Sequence, residues 1–228
     1  MRLVIFDIDG TLTQTMKVDA DCFVRSLAEV YGFRDVDTDW SGYKYATDSG
    51  VLHEIHEART GRFPSAFEIS RFRRHFIGLL EQMSSKIPFT AVNGASRLLS
   101  RLAHSDEHRL ALATGGWSDA ARLKMASAGP RYDDYPAAPC DDALDRDSII
   151  RLSIERAAER YGRPGSIVYV GDGVWDARAC GRVGIPFIGV ATDRRAERLL
   201  TEGAVCVFPD LSDADSFFRS LYEVPKVA

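Results

Sequence analysis

The stretch RLVIFDIDGTLTQT, residues 2–15, gives the strongest indication of the fold. Residues 3–6 are apolar, and Asp7 and Asp9 follow them one residue apart. Such a short apolar run is typical of a strand that is covered on both faces. Burying a carboxylate is costly unless a partner compensates its charge. The stretch therefore predicts a buried strand that leads into a polar site.

Composition narrows the class of protein. The 228 residues carry a net charge of −4, so no overall basic excess favours nucleic acid as a partner. Four cysteines lie far apart without a CxxC pair, which is typical of reduced thiols. No apolar run approaches the roughly 20 residues that cross a bilayer, and the start does not resemble a signal peptide. We expect a cytoplasmic protein without a membrane or nucleic-acid partner, as a monomer or homodimer.

Short β-branched runs recur along the chain and alternate with amphipathic stretches such as RDSIIRLSIERAAERYG, residues 146–162. This alternation predicts an α/β fold with a Rossmann-like parallel sheet. The predicted strands are Leu3–Phe6, Leu110–Ala113, Ile167–Val170, Phe187–Val190 and Val205–Phe208.

One long segment lacks any strand pattern. Between residues 14 and 90 only helical patterns occur, and SSKIPFTAVNGAS, residues 84–96, has the composition of a return link. We therefore predict a core domain formed by residues 1–13 and 91–228, with an inserted helical cap domain over residues 14–90.

Polar residues follow three of the predicted strands. Asp7 and Asp9 end the first, Thr114 and Gly115 follow the second, and Asp172 and Asp176 follow a later one. In open α/β sheets, ligands bind beyond the carboxyl ends of the strands. Converging carboxylates repel one another unless a cation lies among them, and Mg²⁺ favours oxygen ligands. A lone aspartate at a strand end is more often a turn or cap residue, but the whole set predicts a magnesium site.

At this point the chain resembles the haloacid dehalogenase-like hydrolase superfamily, and within it the phosphoglycolate phosphatases that carry a small helical cap. DIDGT, residues 7–11, matches the first motif DxDGT. Thr114 matches the second, and GDGVWD, residues 171–176, matches the fourth, GDxxxD. The helical insertion after the first motif has the position of the family's small cap.

The resemblance implies a role for each matching residue. Asp7 would be the nucleophile and Asp9 the general acid and base. Mg²⁺ would be held by Asp7, the backbone carbonyl of Asp9, Asp172 and Asp176. Thr114 and the amide of Gly115 would bind the transferring phosphoryl group.

The third motif supplies a cation for the nucleophile and the phosphate, and two residues compete for it. Arg146 has the better spacing before the fourth motif, and its guanidinium can bind phosphate through two hydrogen bonds. Its alternative is a surface residue beside Asp145 and Asp147. Lys124 is the second candidate, with a solvated lysine as its alternative.

Some features attract attention without matching a known site. HEIHE, residues 53–57, has its histidines three apart where HExxH requires four, which favours a polar surface. RFRRHF, residues 71–76, predicts buried aromatics and a solvated basic face, with substrate steering as the alternative. YKYATDSG, residues 43–50, predicts a loop and a helix cap, or a loop that contacts the leaving group. For Trp175, packing is favoured over exposure to the crevice.

The resemblance predicts a phosphoric monoester hydrolase acting on a small phosphorylated metabolite. A phosphomutase of the β-phosphoglucomutase type is the main alternative. A phosphonatase would need a cap lysine, for which Lys17 and Lys44 have no persuasive apolar setting. A non-catalytic binding protein is disfavoured because all motif acids are present.

Overall fold

Six parallel strands form one sheet in the computed structural model, which describes residues 1–224. The strand order is β3-β2-β1-β4-β5-β6, so β1 lies between β2 and β4. Phe6 at the end of β1 pairs with Leu112 of β2 and Val170 of β4. The strands are β1 Arg2–Phe6, β2 His108–Ala113, β3 Ala137–Ala138, β4 Ser166–Gly171, β5 Phe187–Val190 and β6 Cys206–Phe208.

Nine α-helices accompany these strands in the described part of the chain. Several begin at side-chain caps that the sequence supplies: Ser65 and Glu68 form a capping box at α3, and Asp145 accepts a hydrogen bond from the Ser148 amide at α6. The helices are α1 Met16–Tyr31, α2 Asp48–Thr60, α3 Ala66–Lys86, α4 Ala95–Ala103, α5 Ser118–Ala128, α6 Arg146–Tyr161, α7 Val174–Val183, α8 Asp193–Thr201 and α9 Ala214–Glu223.

Both faces of the sheet are buried. Leu3 and Ile5 of β1 belong to one apolar cluster, whereas Val4 and Phe6 belong to the other. Successive side chains of a strand point to opposite faces, so this split follows directly from the sequence. The predicted α/β class with a Rossmann-like parallel sheet is confirmed.

Helices α1–α3, residues 16–86, follow β1 without an intervening strand, and we call them the helical insertion. The chain enters and leaves this segment at neighbouring points. The Gln14 amide donates to the Thr90 carbonyl at 2.8 Å, and the Val92 amide donates to the Leu12 carbonyl at 2.9 Å. The division into domains at residues 14 and 90 stays a prediction, and residues 225–228 of the predicted core lie outside the described residues.

Two details differ from the expected elements. The two-residue strand β3 was not predicted, because two alanines between Pro136 and Pro139 carry no strand signal. The last strand begins at Cys206 instead of Val205. All four cysteines are free thiols, as predicted. Within residues 1–224, every helix is too short or too polar to cross a membrane.

Candidate active site

A cavity of ≈ 100 Å³ lies at the carboxyl ends of β1 and β2, beside the end of β4. Because β1 lies between the other two strands, Asp7, Thr114 and Asp172 emerge side by side at this edge of the sheet. The cavity is lined by residues from the sheet and from the insertion: Asp7, Asp9, Met16, Asp19, Ala20, Phe23, Trp40, Ala46, Thr47, Asp48, Val51, Thr114, Gly115, Gly116, Arg146 and Trp175.

Asp7, Asp172 and Asp176 form a buried acid trio. One carboxylate oxygen from each lies within 4.8 Å of the others. Oδ1 of Asp172 is buried and has no hydrogen-bond partner among the described residues. A set of oxygen donors with one uncommitted buried oxygen is suited to a hard cation such as Mg²⁺. The residues present therefore fit the metal that the family motifs imply.

The carboxylate of Asp9 lies outside this trio. Its Oδ2 accepts a hydrogen bond from Lys124 Nζ at 2.8 Å, and its Oδ1 accepts one from the Thr15 hydroxyl. The resemblance assigned the backbone carbonyl of Asp9, not its carboxylate, to the metal site. That role stays a prediction.

Arg146 lies at the start of α6 and is 8% exposed, so it is not the surface residue of the alternative interpretation. Its Nη1 is 3.1 Å from Asp7 Oδ1 and 3.2 Å from Asp176 Oδ1. Its Nε donates to the Ala46 carbonyl at 3.3 Å. One planar cation thus joins two members of the acid trio to the helical insertion.

Burial dominates the electrostatics of the acid trio. Desolvation raises the pKa of Asp7 well above its usual value, although the Arg146 charge acts in the opposite direction. Desolvation also raises the pKa of Asp172 to about 7, against the opposing charge of Arg195. Binding a divalent cation favours the ionised carboxylates, so metal binding at such a site is coupled to proton release.

Two glycines permit the close approach of these groups. Gly10 has a φ of 78°, and a Cβ there would collide with the Asp172 carboxylate. A Cβ on Gly115 would lie 2.7 Å from Arg146 Nη2 and 2.8 Å from the Ala46 carbonyl oxygen.

Thr114 lies directly after β2, is 1% exposed, and lines the cavity beside Gly115. Its Oγ1 accepts a hydrogen bond from the Gly116 amide at 3.1 Å. The hydroxyl proton remains available to an acceptor in the cavity. The structure therefore brings Asp7, the expected nucleophile, together with Thr114, Gly115 and Arg146, the residues expected to bind a phosphoryl group.

Lys124 is completely buried, contrary to its solvated alternative. Its ammonium contacts the carboxylates of Asp9 and Asp19 and lies near Asp48. We call these four residues the lysine cluster. Asp19 belongs to α1 and Asp48 to α2, so the cluster connects α5 to two helices of the insertion.

The loop before α2 contributes to the cavity. Thr47 is the N-cap of α2, and its hydroxyl accepts from the Gly50 amide at 3.0 Å. The Asp48 amide donates to the Gly115 carbonyl at 2.8 Å, and Asp48 Oδ2 accepts from the Trp117 amide at 3.1 Å. Thr47 is therefore the predicted helix cap, and residues 46–48 also line the cavity. The expected contact of this loop with the leaving group stays a prediction.

Three other expectations have mixed outcomes. Trp175 packs against the core and also lines the cavity, so the two interpretations are not exclusive. Phe72 and Phe76 are buried as predicted, but Arg73 pairs with Asp119 and Asp141 instead of facing solvent alone. His56 is 2% exposed, so the expectation of a polar surface was wrong there.

Several residues of this region were missed. Tyr169 lies inside β4 with its hydroxyl 3.2 Å from Asp176 Oδ1, and Arg195 of α8 contacts the Asp172 carboxylate. A tyrosine in an otherwise aliphatic buried strand was the only available signal for the first. Asp19 and Arg195 lie in amphipathic helices, where charged residues are ordinary.

The chain matches the haloacid dehalogenase-like hydrolase family over residues 1–184. The protein therefore belongs to this family, and the predicted hydrolase class is confirmed. A comparison with curated protein sequences found no significant match.

Solved structures with the same fold cover nearly the whole chain at low sequence identity. A hydrolase from Pseudomonas syringae has a TM-score of 0.76 and 20% identity, with 97% of this chain and 99% of that chain covered. A candidate β-phosphoglucomutase from Thermotoga maritima has a TM-score of 0.65 and 21% identity, covering 97% and 100%. A predicted phosphoglycolate phosphatase from Haemophilus somnus has a TM-score of 0.67 and 16% identity, covering 95% and 97%.

Proposed function

We propose that the protein is a Mg²⁺-dependent phosphatase that hydrolyses a small phosphomonoester through an aspartyl-phosphate intermediate. The observation that carries this proposal is that Asp7, Thr114 and Arg146 line one small cavity, with the two other acids of the trio packed against Asp7. Membership of the hydrolase family and the likeness in fold to a predicted phosphoglycolate phosphatase support it.

In the first step, an Asp7 carboxylate oxygen attacks phosphorus and the bond to the leaving oxygen breaks, with a proton supplied by Asp9. In the second step, water attacks phosphorus, Asp9 accepts its proton, and the Asp7–phosphorus bond breaks. Thr114, the Gly115 amide and Arg146 bind the phosphoryl oxygens, on which the charge resides.

Asp7, Asp172 and Asp176 would hold Mg²⁺, together with the backbone carbonyl of Asp9. When bound, the ion neutralises charge between the anionic nucleophile and the phosphoryl oxygens. The insertion residues around the cavity, among them Phe23 and Trp40, limit the size of the leaving group and exclude water.

The experiment is phosphate release from p-nitrophenyl phosphate, with and without Mg²⁺. We expect activity that EDTA abolishes and added Mg²⁺ restores. Asp7→Asn should lower it by about 10³-fold or more, as removal of a nucleophile does. Asp133→Asn, an exposed acid on the surface, is the matched control. Activity that survives Asp7→Asn would exclude Asp7 as the nucleophile.

A phosphomutase of the β-phosphoglucomutase type is the second candidate, supported by the likeness in fold to the Thermotoga maritima protein. It would use the same acids but transfer the phosphoryl group back to a sugar phosphate instead of to water. Turnover of a hexose phosphate without release of inorganic phosphate would favour the mutase. A panel of phosphomonoesters with a phosphate readout separates the two candidates.

A further inference from the structure

Lys124 contacts Asp9 and not Asp7. Its Nζ is 2.8 Å from Asp9 Oδ2, and it is absent from the cavity wall. Arg146 already contacts Asp7, at 3.1 Å. The two buried cations therefore serve different members of the DIDGT motif.

The Asp9 carboxylate is held at both oxygens. Thr15 donates to Oδ1 and Lys124 donates to Oδ2. The Thr15 hydroxyl also lies 2.6 Å from the Thr13 hydroxyl, which in turn donates to the Ile8 carbonyl at 3.1 Å. Two contacts from different elements fix the plane of the carboxylate, whereas one would leave it free to rotate.

The surroundings of Lys124 keep it in place and charged. Burial alone would lower its pKa, but the charges of Asp19, Asp9 and Asp48 raise it overall. A buried ammonium is retained only where carboxylates compensate for its desolvation. Asp19 and Asp48 come from the insertion, so two of its helices help to fix the cation that holds Asp9.

We propose that Lys124 is a positioning residue for the second half of the reaction. It holds the Asp9 carboxylate where it can take a proton from the water that attacks the phosphorylated Asp7. In that step the water oxygen bonds to phosphorus, the bond between phosphorus and Asp7 breaks, and the water proton passes to Asp9. The inference rests on the proposed phosphatase function.

An aryl ester isolates this step. The p-nitrophenolate ion leaves without needing a proton, so departure of the leaving group does not depend on the position of Asp9. Hydrolysis of the phosphorylated Asp7 does depend on it. The ratio kcat/KM reports the steps up to leaving-group departure, whereas kcat also includes hydrolysis.

We expect Lys124→Met to lower kcat for p-nitrophenyl phosphate by about 10- to 100-fold, since a positioned general base contributes ~10²–10⁴-fold. The ratio kcat/KM should stay within about threefold, so KM falls together with kcat. Rapid mixing should then show a burst of about one p-nitrophenolate per enzyme, because the phosphorylated enzyme accumulates.

Arg122→Met on the same helix is the matched control, because Arg122 is exposed and its contacts, with Asp133 and the Tyr132 ring, lie outside the cavity lining. It should leave kcat and the time course unchanged. Lys124→Met alone would leave the charges of Asp19 and Asp48 buried without a compensating cation. The triple variant Lys124→Met, Asp19→Asn, Asp48→Asn removes those two charges as well. It should fold and show the same loss of kcat with a burst.

Equal losses in kcat and kcat/KM would overturn the proposal, because they would assign Lys124 to phosphate binding or to general structure. Wild-type kinetics in the triple variant would overturn it as well. Failure of the proposed function gives a different result: no Mg²⁺-dependent release by the wild-type protein, or full release by Asp7→Asn.

Discussion

Arg146 and Lys124 are both buried cations beside the DIDGT motif, but they differ in where their partners come from. The carboxylates that contact Arg146 both belong to the sheet and its following helix: Asp7 directly follows β1, and Asp176 lies in the first turn of α7, which follows β4. Two of the three carboxylates around Lys124, Asp19 and Asp48, belong to the helical insertion.

The difference shows how two aspartates that lie one residue apart, Asp7 and Asp9, can each contact a different buried cation. The planar guanidinium of Arg146 reaches two acids of the trio at similar distances and leaves donors for phosphate oxygens. The ammonium of Lys124 is a compact charge enclosed by acids. In the proposed reaction, the first belongs to the phosphoryl end of the site and the second to the acid–base residue.

The largest effect is expected from Arg146. Arg146→Met should lower phosphate release by about 10²–10³-fold, because a preorganised donor to the phosphoryl group is lost. Arg146→Lys should recover only part of this activity, since an ammonium cannot reproduce the planar contacts with Asp7 and Asp176. Steady-state kinetics with p-nitrophenyl phosphate measure both, with the exposed Arg182→Met as the control. Full activity in Arg146→Lys would show that only charge matters.

The second prediction concerns stability at the lysine cluster. Lys124→Met should lower the free energy of unfolding by about 3–5 kcal/mol, because breaking a buried ion pair leaves uncompensated charge. Adding Asp19→Asn and Asp48→Asn should restore much of this loss. Urea denaturation measures both variants. A single variant as stable as the wild type would show that the cluster is not an ion-pair network.

The third prediction is a pH dependence. Desolvation raises the pKa of Asp19 to about 6, although the Lys124 charge opposes this. The folded state therefore binds this proton more tightly than the unfolded state, so stability falls as pH rises from about 4 to about 6. One pKa unit corresponds to about 1.4 kcal/mol. Because the Asp19 side chain is 19% exposed and solvent weakens part of the effect, we expect the free energy of unfolding to fall by about 1–2 kcal/mol over this range.

Urea denaturation across this pH range, comparing the wild type with Asp19→Asn, measures the effect. As the pH rises through this range, the wild type should lose stability relative to the Asp19→Asn variant. A constant difference would contradict the shift in the Asp19 pKa.

The smallest effect is expected where the insertion contacts the rest of the chain through a partly exposed pair. Arg73 of α3 has its Nε 2.9 Å from Asp119 Oδ2 and its Nη1 2.5 Å from Asp141 Oδ1. Arg73→Gln should lower the free energy of unfolding by about 0.5–1 kcal/mol, as for other exposed ion pairs, without changing activity. Thermal unfolding and phosphate release provide the measurements. A loss of activity would show that the Arg73 pair also supports the cavity.

Much of the sheet could be predicted because its strands are continuous apolar runs, as at residues 3–6 and 167–170. Their parallel arrangement followed from the helices between them. β3 could not be predicted, since two alanines become a strand only by pairing with Leu112 and Ala113.

The site was predictable where a residue follows a strand in a recognisable motif, as Asp7 and Asp172 do. The surroundings of Lys124 were not, because they depend on how α1 and α2 lie against α5. Asp19 has the same sequence appearance as the exposed Asp21 two residues later. Only three-dimensional packing distinguishes a carboxylate that meets a buried ammonium from one on the surface.

The two crossings between the sheet and the insertion lie side by side, with Thr13 bridged to Ala91. A segment whose two ends are hydrogen-bonded neighbours can change in length or be exchanged without moving β1 or α4. Sequence changes in the helical insertion can therefore alter the residues that cover the cavity, while the strand ends that carry Asp7, Thr114 and Asp172 keep their positions.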